Sequence, residues 1–560
     1  MEKFTNINII DEWLTTKGME KEAYNLILNP PKENDWKLLN DIDKAVDILN
    51  TAITNNQKIR IWGDYDADGI TGTSILLFAL RGKVSSIDWE IPNREDGYGA
   101  NLEMAKKAVN DNIDLIITVD NGIQCHEAID FVKSNGITTL VTDHHEKGEI
   151  LPNADAIVHP MLGDYPFPYI SGATVALKLM LAFGISDVMP VGAYSFEEMQ
   201  FNENRRLLID AIERIRKHPY KNLSILMDIS NVNQETFDEK DIGFTIAPII
   251  NSTGRLESAD TGVLALSSLD EDVIKLNASY ACYLNDTRKE ITKKATTNIV
   301  DSNSESNVLV LNVQPGIVGI IAGNVLNRYG KPTIVFAKKQ VEDKVVLVGS
   351  ARSASVNLYE AFLNISPEII ISCGGHALAA GITILEENLE EFKEQFNNYI
   401  EQNKEEEVEE SEAILTSFSE LYDKKTLNTL KKLKPFGQGF QVPEFVLPVD
   451  IEKVDLYFKS GHVAVSDKHG NQLWLYNQIK DGQNMVVDGA FKKVMDNTEK
   501  RLNGNPKMGV APMSYEEAVA GHWERWTGNI IPYYFLVEAN YGTFQNNTGL
   551  QLSTITYEKR

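Results

Sequence analysis

Three aspartates at alternate positions follow an apolar, β-prone segment near the start of the chain. Residues 59–62 (Ile-Arg-Ile-Trp) precede Asp64, Asp66 and Asp68, and residues 73–80 then have the composition of a helix. This order predicts a buried strand, a tight turn and a helix, with the carboxylates where ligands bind in open α/β sheets. Carboxylate oxygens are hard ligands suited to Mg2+ or Mn2+. An acidic turn exposed to solvent is the alternative interpretation of this loop taken alone.

Two further apolar segments end in polar side chains that suit the same chemistry. One ends at Asp120, and the next ends at Asp143, His144 and His145. A neutral imidazole such as that of His144 is a metal ligand, and Asp143 is placed to orient a neighbouring ring. Because three predicted strands deliver these groups to one edge of a sheet, the sequence predicts a two-metal hydrolytic centre.

These motifs, in this order, resemble those of a known family. Asp-Tyr-Asp-Ala-Asp-Gly (64–69), Val-Asp-Asn-Gly (119–122) and Asp-His-His (143–145) are similar to the motifs of the DHH phosphoesterase superfamily. Residues 372–381 resemble the Gly-Gly-His motif of the DHH-associated domain, and residues 433–439 resemble the start of the third domain of RecJ exonucleases. The resemblance spans residues 59–445, with gaps.

The resemblance implies two Mn2+ or Mg2+ ions bound by side chains from four motifs. The implied metal ligands are Asp64, Asp66, Asp68, Asp120, His144 and Asp187. Asp120 is expected to bridge the ions and, with His144 and His145, to form the catalytic set; His145 would contact the scissile phosphate or transfer a proton. Trp62 stands where some relatives have a metal-binding histidine, so the first ion is expected to have fewer protein ligands and more waters.

The same resemblance implies a set of substrate-binding residues distributed over two domains. The implied residues are Arg94, Asn251, Arg255, Arg352, Ser353, Gly374, Gly375 and His376. The two glycines are expected to expose backbone N–H groups to an anion, although a tight turn is the alternative interpretation. Gln314 stands where many RecJ relatives have histidine, so substrate contacts in the second domain are expected to differ.

The expected architecture is an α/β protein with three globular parts. A parallel-sheet DHH domain is joined by a long helix to a smaller α/β DHH-associated domain, and an OB-like β-barrel follows at the C-terminus. The predicted boundaries are 1–45 for an N-terminal helical segment packed on the first domain, 46–270 for the DHH domain, 271–304 for the connecting helix, 305–400 for the DHH-associated domain, 401–432 for an acidic linker or helix, and 433–560 for the barrel.

Composition limits the function classes. The chain has 560 residues, a formal charge of −26 and three scattered cysteines, which predict several domains, a reducing cytoplasmic setting and no disulfide framework. We find no segment typical of a membrane span or a secretory signal. The absence of a Walker phosphate loop disfavours an ATP-driven helicase. The acidic charge predicts few phosphate contacts on a nucleic acid.

The resemblance implies a 5′–3′ exonuclease that hydrolyses single-stranded DNA to 5′-mononucleotides in DNA repair, recombination or replication. Its expected partners are single-stranded DNA and a single-strand-binding protein or helicase; no membrane is expected, and the protein is expected to be a monomer. One alternative is a nanoRNase or dinucleotide phosphodiesterase, and a pyrophosphatase would use the same metals. An alternative of another class is a non-catalytic DNA-binding replication protein.

Overall fold

The computed structural model describes most of the chain, and its contacts divide the chain into two compact units. The described residues are 9–19, 21–94, 97–185, 202–297, 299–302, 304–341, 344–403, 414–437, 440–457, 462–466, 472–475, 479–480, 483–484, 523–544 and 547–559. One unit comprises Met1–Pro30 with Glu409–Arg560, and the other comprises Pro31–Val408. Among the described residues, no helix is long and apolar enough to cross a membrane.

Helices and strands are numbered here in chain order. The helices are α1 (Ile9–Thr16), α2 (Lys21–Leu28), α3 (Ile42–Thr54), α4 (Ala67–Leu80), α5 (Leu102–Asn110), α6 (His126–Ser134), α7 (Gly172–Ala182), α8 (Asn202–Lys217), α9 (Lys221–Ile229), α10 (Glu239–Asp241), α11 (Ala247–Leu256), α12 (Asp260–Ser267), α13 (Glu271–Thr297), α14 (Val318–Tyr329), α15 (Leu358–Leu363), α16 (Leu389–Gln402), α17 (Phe418–Leu421) and α18 (Lys424–Leu433). The strands are β1 (Lys58–Trp62), β2 (Ser86–Glu90), β3 (Leu115–Val119), β4 (Thr138–Thr142), β5 (Ala156–Val158), β6 (Asn307–Leu311), β7 (Thr333–Val341), β8 (Lys344–Arg352), β9 (Ile370–Gly375), β10 (Ala379–Leu385), β11 (Ile414–Leu415), β12 (Glu444–Tyr457), β13 (His462–Ser466), β14 (Gln472–Leu475), β15 (Ile479–Lys480), β16 (Gln483–Asn484), β17 (Trp523–Phe544) and β18 (Asn547–Lys559).

The first sheet is parallel and has the strand order β2-β1-β3-β4-β5. Its central strand β3 is buried along its whole length, as expected for a strand covered on both faces. The sheet places the ends of β1, β3 and β4 side by side, which confirms the predicted parallel α/β domain. Trp62 is fully buried in an apolar cluster with Met104 and Ile116, so its ring serves packing.

A second, mixed sheet follows the long helix α13 and has the strand order β6-β7-β8-β10-β9. Strands β6 and β7 pair in parallel, whereas β7, β8, β10 and β9 pair antiparallel. Phe336, Phe392 and Phe396 form its apolar core with neighbouring aliphatic side chains. This sheet and its helices form the smaller α/β domain that the sequence predicts.

The N-terminal residues separate into two parts that pack in different places. Helices α1 and α2 pack on α18, and Trp13 makes an edge-to-face contact with Phe440. Residues 31–45 instead contribute Leu39 and Ile42 to the core beneath the first sheet. The sequence predicted one helical segment over residues 1–45; in the structure α1 and α2 belong to the unit that contains α18, and residues 31–45 belong to the other unit.

Candidate metal centre

The ends of β1, β3 and β4 bring two groups of potential metal ligands together. Asp64, Asp66 and Asp120 form one group, and Asp120, His144 and His145 form the other. Within each group the ligand atoms lie within 4.8 Å of one another. Because Asp120 belongs to both groups, a single carboxylate joins the two potential ion sites.

Several buried oxygens in these groups have no hydrogen-bond partner among the described residues. They are both carboxylate oxygens of Asp64 and Oδ1 of Asp120, although the Asp120 oxygen lies 3.1 Å from Nε2 of His144. Asp64 is fully buried and Asp120 is 2% exposed, and burial raises the pKa of each carboxyl well above its ordinary value. A buried carboxylate without hydrogen-bond partners, such as that of Asp64, is costly, and a bound cation would compensate it. This donor set therefore fits hard divalent ions.

The position of Asp120 is fixed by an unusual backbone and close neighbours. Its φ of 61° lies in the left-handed region, which few residues other than glycine, asparagine and aspartate adopt. The Tyr98 hydroxyl donates to its carbonyl oxygen. A Cβ atom on Gly172 would lie 2.6 Å from the Cβ of Asp120, so only glycine leaves room for this carboxylate.

Asp68 has a structural role that the sequence did not predict. Its two carboxylate oxygens accept hydrogen bonds from the backbone N–H groups of Gly172 and Ala173, at 2.8 and 2.9 Å. These groups open α7, so the carboxylate also lies at the positive end of the helix dipole. Asp68 Oδ2 is 3.6 Å from His144 Nε2, but Asp68 belongs to neither group of close ligand atoms. Its assignment as a metal ligand stays a prediction.

The loop between β1 and α4 is held by hydrogen bonds at the first turn of the helix. Asp66 caps α4 by accepting from the N–H groups of Asp68 and Gly69. Asn251, on α11, accepts from the N–H of Ala67 at 2.9 Å. Asn251, a predicted substrate contact, therefore uses its amide oxygen to hold the aspartate loop.

Asp143 orients the histidine pair from behind. It is 1% exposed and accepts from the backbone N–H groups of Ile123, His144 and His145 and from Nδ1 of the His145 ring, at 2.7–3.2 Å. Burial alone would raise the pKa of Asp143, but the hydrogen bond and charge of His145 outweigh it and lower the pKa to about 2. For His145, burial alone would lower the pKa of the imidazole. The hydrogen bond to Asp143 and the charge of that carboxylate outweigh this effect, so the pKa of His145 is raised.

Two more residues support the histidine pair and were missed at the sequence level. His159 is fully buried at the end of β5. Its Nδ1 accepts from Met161 N–H, so its Nε2 carries the proton donated to the His145 carbonyl, at 2.9 Å. The Tyr98 hydroxyl lies 3.0 and 3.1 Å from the two ring nitrogens of His145. Only the Gly-Tyr-Gly sequence around Tyr98 could have drawn attention to it.

Arginines from both domains of the Pro31–Val408 unit surround Arg255, which also interacts with the charge of Asp66. Burial, followed by the charge of Arg94, lowers the pKa of Arg255 to about 10, with smaller effects from Arg288 and Arg352. Arg255 also donates to the carbonyl of Gly316 in the second domain, at 3.0 Å. The sequence analysis identified Arg94, Arg255 and Arg352 but not Arg288. Arg288 lies on the connecting helix α13 and donates to Asn285 of the same helix.

Arg94 is held against an aromatic ring of the aspartate loop. Its guanidinium carbon lies 4.1 Å from the centre of the Tyr65 ring, a cation–π contact. Its Nε is buried with no hydrogen-bond partner among the described residues. An anion near the metal centre would supply the missing acceptor.

The predicted contacts of the second domain are only partly free for a ligand. Arg352 donates to Ser350 Oγ and to the Ala351 carbonyl, both at 2.8 Å. Ser353 is 5% exposed, and its Oγ accepts N–H groups within its own turn. The remaining predicted residues are Gly374, Gly375 and His376, which are exposed where β9 turns into β10. Gly375 has a φ of 132°, so the turn itself requires glycine.

The remaining predicted ligand, Asp187, lies outside the described residues. The geometry of the centre therefore rests on the ends of β1, β3 and β4 alone.

Comparison with known proteins gives family matches for both sheets. Residues 58–209 match the DHH family, N-terminal domain, and residues 305–402 match the DHHA1 domain. The first range contains β1–β5 and the second contains β6–β10.

Full-length relatives and solved structures extend the match over most of the chain. The chain is 33% identical over 473 residues to the single-stranded-DNA-specific exonuclease RecJ of Haemophilus influenzae, covering 77% of this chain and 80% of that protein. It is 32% identical to the RecJ of Dickeya dadantii, covering 73% and 78%. A crystal structure of RecJ from Thermus thermophilus with Mn2+ matches the fold with a TM-score of 0.74 at 22% identity, covering 98% of this chain and 75% of that one. A manganese-bound exonuclease RecJ structure has a TM-score of 0.57 at 27% identity, covering 65% and 95%.

Proposed function

The chain belongs to the RecJ family of DHH phosphoesterases, and we propose that it is a metal-dependent exonuclease that hydrolyses single-stranded DNA from the 5′ end to 5′-mononucleotides. Its roles would lie in DNA repair, recombination or replication. The observation that carries this proposal is the shared carboxylate of Asp120, which belongs to both groups of close ligand atoms. Phosphodiester hydrolysis is the chemistry to which such paired sites are suited.

The side chains at the candidate metal centre would have different roles in the reaction. Two Mn2+ or Mg2+ ions held there would supply a lowered pKa for bound water and positive charge to neutralise the phosphate. The carboxylates of Asp64, Asp66 and Asp120 would hold these ions, with His144 on the second. The ionised Asp143 accepts a hydrogen bond from Nδ1 of His145, so this nitrogen carries the ring proton. Nε2 of His145 is then the atom that would contact the phosphate or move a proton.

Arg94, Arg255 and Arg352 would bind the phosphates of the substrate. Their charges repel one another closely enough to help lower the pKa of Arg255. A phosphate between them would relieve that repulsion and accept paired N–H groups, which a lysine cannot offer in the same geometry. We propose that His376 and the neighbouring glycines contact the end of the strand, and that Asp187 completes the second ion site.

We further propose that the C-terminal region is an OB-like barrel that guides longer strands. Strands β12, β13, β14, β18 and β17 pair in succession, and β12 also pairs with β17. This backbone pairing supports a ring of five strands, the number found in OB folds. Such barrels bind single strands with little sequence preference.

The proposed function is tested by digesting single strands labelled at the 5′ or the 3′ end, with Mn2+ or Mg2+. The expected result is early release of labelled mononucleotide from the 5′-labelled strand and progressive shortening of the 3′-labelled one. A dinucleotide substrate and a duplex serve as controls. Faster hydrolysis of dinucleotides than of long strands would favour the dinucleotide phosphodiesterase, and binding without hydrolysis under any metal would favour the non-catalytic alternative.

A further inference from the structure

The helix α18 carries an unusual concentration of positive charge in an acidic chain. Residues 424–434 contain five lysines and no acidic residue, whereas the whole chain has 80 acidic and 54 basic residues. Lys424, Lys425, Lys431 and Lys432 are all exposed. We call these four residues the lysine face.

The four side chains lie on one side of the helix. Lys431 and Lys432 follow Lys424 and Lys425 by seven residues, which is about two turns and about 10.5 Å along the axis. The opposite side is buried: Thr426, Leu430 and Leu433 pack inward as α18 contacts α1, α2 and β17 within its own unit. The lysine face therefore projects from a helix whose orientation is fixed by its core contacts.

Neither ion pairing nor helix electrostatics explains all four lysines. None of them forms an ion pair with a described residue, whereas Lys106, Lys217, Lys275 and Lys393 on other helices all do. Lys431 and Lys432 suit the last turn of a helix, but Lys424 and Lys425 occupy the first turn, where positive charge opposes the helix dipole. Residues that break a local rule in this way often serve function.

We propose that the lysine face binds the sugar-phosphate backbone of the DNA strand, as a contact surface of the C-terminal unit in addition to the metal centre. This inference rests on the proposed function, because it assigns a further site for the same substrate. Two pairs of point charges separated by two helical turns suit a repeating polyanion that is read without base specificity. At 0.1 M salt, charges act over about 10 Å, and within residues 420–434 five lysines outnumber two acidic residues, Glu420 and Asp423.

The test compares the wild type with three fourfold variants of the full chain. One replaces Lys424, Lys425, Lys431 and Lys432 by glutamine, and a second replaces them by arginine. The third replaces the ion-paired Lys106, Lys217, Lys275 and Lys393 by glutamine, so both glutamine variants change the formal charge from −26 to −30 (−26 − 4). Binding of a labelled 20-nucleotide strand is titrated at several salt concentrations with Ca2+ as the only divalent ion, and hydrolysis of that strand and of a trinucleotide is measured with Mn2+.

The expected result separates the lysine face from the metal centre. Four phosphate contacts at a slope of about 0.7 each predict that the salt slope of the first variant flattens by one to about 2.8 units, with affinity at low salt reduced at least about tenfold. The arginine variant and the ion-paired control should behave like the wild type, and all should cleave the trinucleotide equally. If these binding shifts occur but no protein cleaves any strand, the proposed function is wrong and the lysine face stands.

Three results would overturn the inference. An unchanged salt slope in the first variant would show that these lysines do not contact phosphates. If the first variant lost cleavage of the trinucleotide as much as cleavage of the 20-nucleotide strand, the substitutions would act on the metal centre or on folding. Binding of anionic phosphatidylglycerol vesicles that depends on these lysines, with strand binding unaffected, would assign the face to a membrane surface.

Discussion

Replacing Asp143 by asparagine removes the buried charge behind the histidine pair while keeping the size of the side chain. Asp143 accepts four hydrogen bonds, three from backbone N–H groups and one from Nδ1 of His145. Asparagine has a single acceptor oxygen, so one donor, such as the N–H of Ile123, would face an NH2 group. Losing a hydrogen bond to a charged group costs about 1.5–3 kcal/mol.

The pKa of Asp143 gives a second route to the same magnitude. A shift from 3.8 to about 2 corresponds to about 2.4 kcal/mol, at 1.36 kcal/mol per unit. Because the pKa is lower in the folded state, this stability is present above about pH 4 and is lost as the pH falls through about 2. We therefore expect the Asp143→Asn variant to be less stable by about 2 kcal/mol at pH 7, with the difference shrinking between pH 4 and pH 2.

Urea unfolding of both proteins across this pH range, with Mn2+ titrations at pH 7, measures both effects. Loss of the group that orients a ligand typically costs 10- to 100-fold in metal affinity or activity. Asp155→Asn is a matched control, because Asp155 also accepts a backbone N–H, from Thr139, but is 34% exposed and far less constrained. A stability difference that does not change with pH, or unchanged Mn2+ affinity, would refute this assignment of Asp143.

Two further substitutions test the surroundings of the shared carboxylate. Gly172→Ala should reduce Mn2+ binding and hydrolysis at least tenfold, because its Cβ would lie 2.6 Å from the Cβ of Asp120. Gly323→Ala is the control and should be neutral, because there is open space around this glycine. Equal effects of the two substitutions, measured by calorimetry and strand digestion, would contradict this prediction. Tyr98→Phe should lower kcat about tenfold, since it removes the hydroxyl that donates to the Asp120 carbonyl and lies beside His145; steady-state kinetics that show only a raised KM would instead indicate a role in strand binding.

The grouping of the candidate metal ligands was predictable from the sequence where the signals are local. Asp64, Asp120 and His144 each follow an apolar segment that forms a parallel strand, and parallel strands align their carboxyl ends at one edge. The same reasoning placed Asp143 behind a histidine ring, which its hydrogen bond to His145 confirms. Periodicity and turn residues were sufficient for this part because each step involves only neighbouring residues.

The unpredicted contacts join residues that are far apart in the chain. Asp68 accepts from the N–H of Gly172, 104 residues away, and no local pattern marks that pairing. The packing of α1 and α2 on α18 depends on apolar faces whose partners follow several hundred residues later. Tyr98 lies in a loop whose sequence resembles an ordinary turn. Tertiary contacts of this kind become visible only when the chain is folded.

The central claim is that Asp120 joins two metal sites, and the most direct measurement is electron paramagnetic resonance of Mn2+ bound to the wild type and to Asp120→Asn. The shared carboxylate predicts two ions per chain with a magnetically coupled spectrum in the wild type. The variant should keep its fold by circular dichroism but bind at most one ion, with an uncoupled spectrum and no strand hydrolysis. Two uncoupled ions in the wild type, or a coupled pair that persists in the variant, would contradict the account.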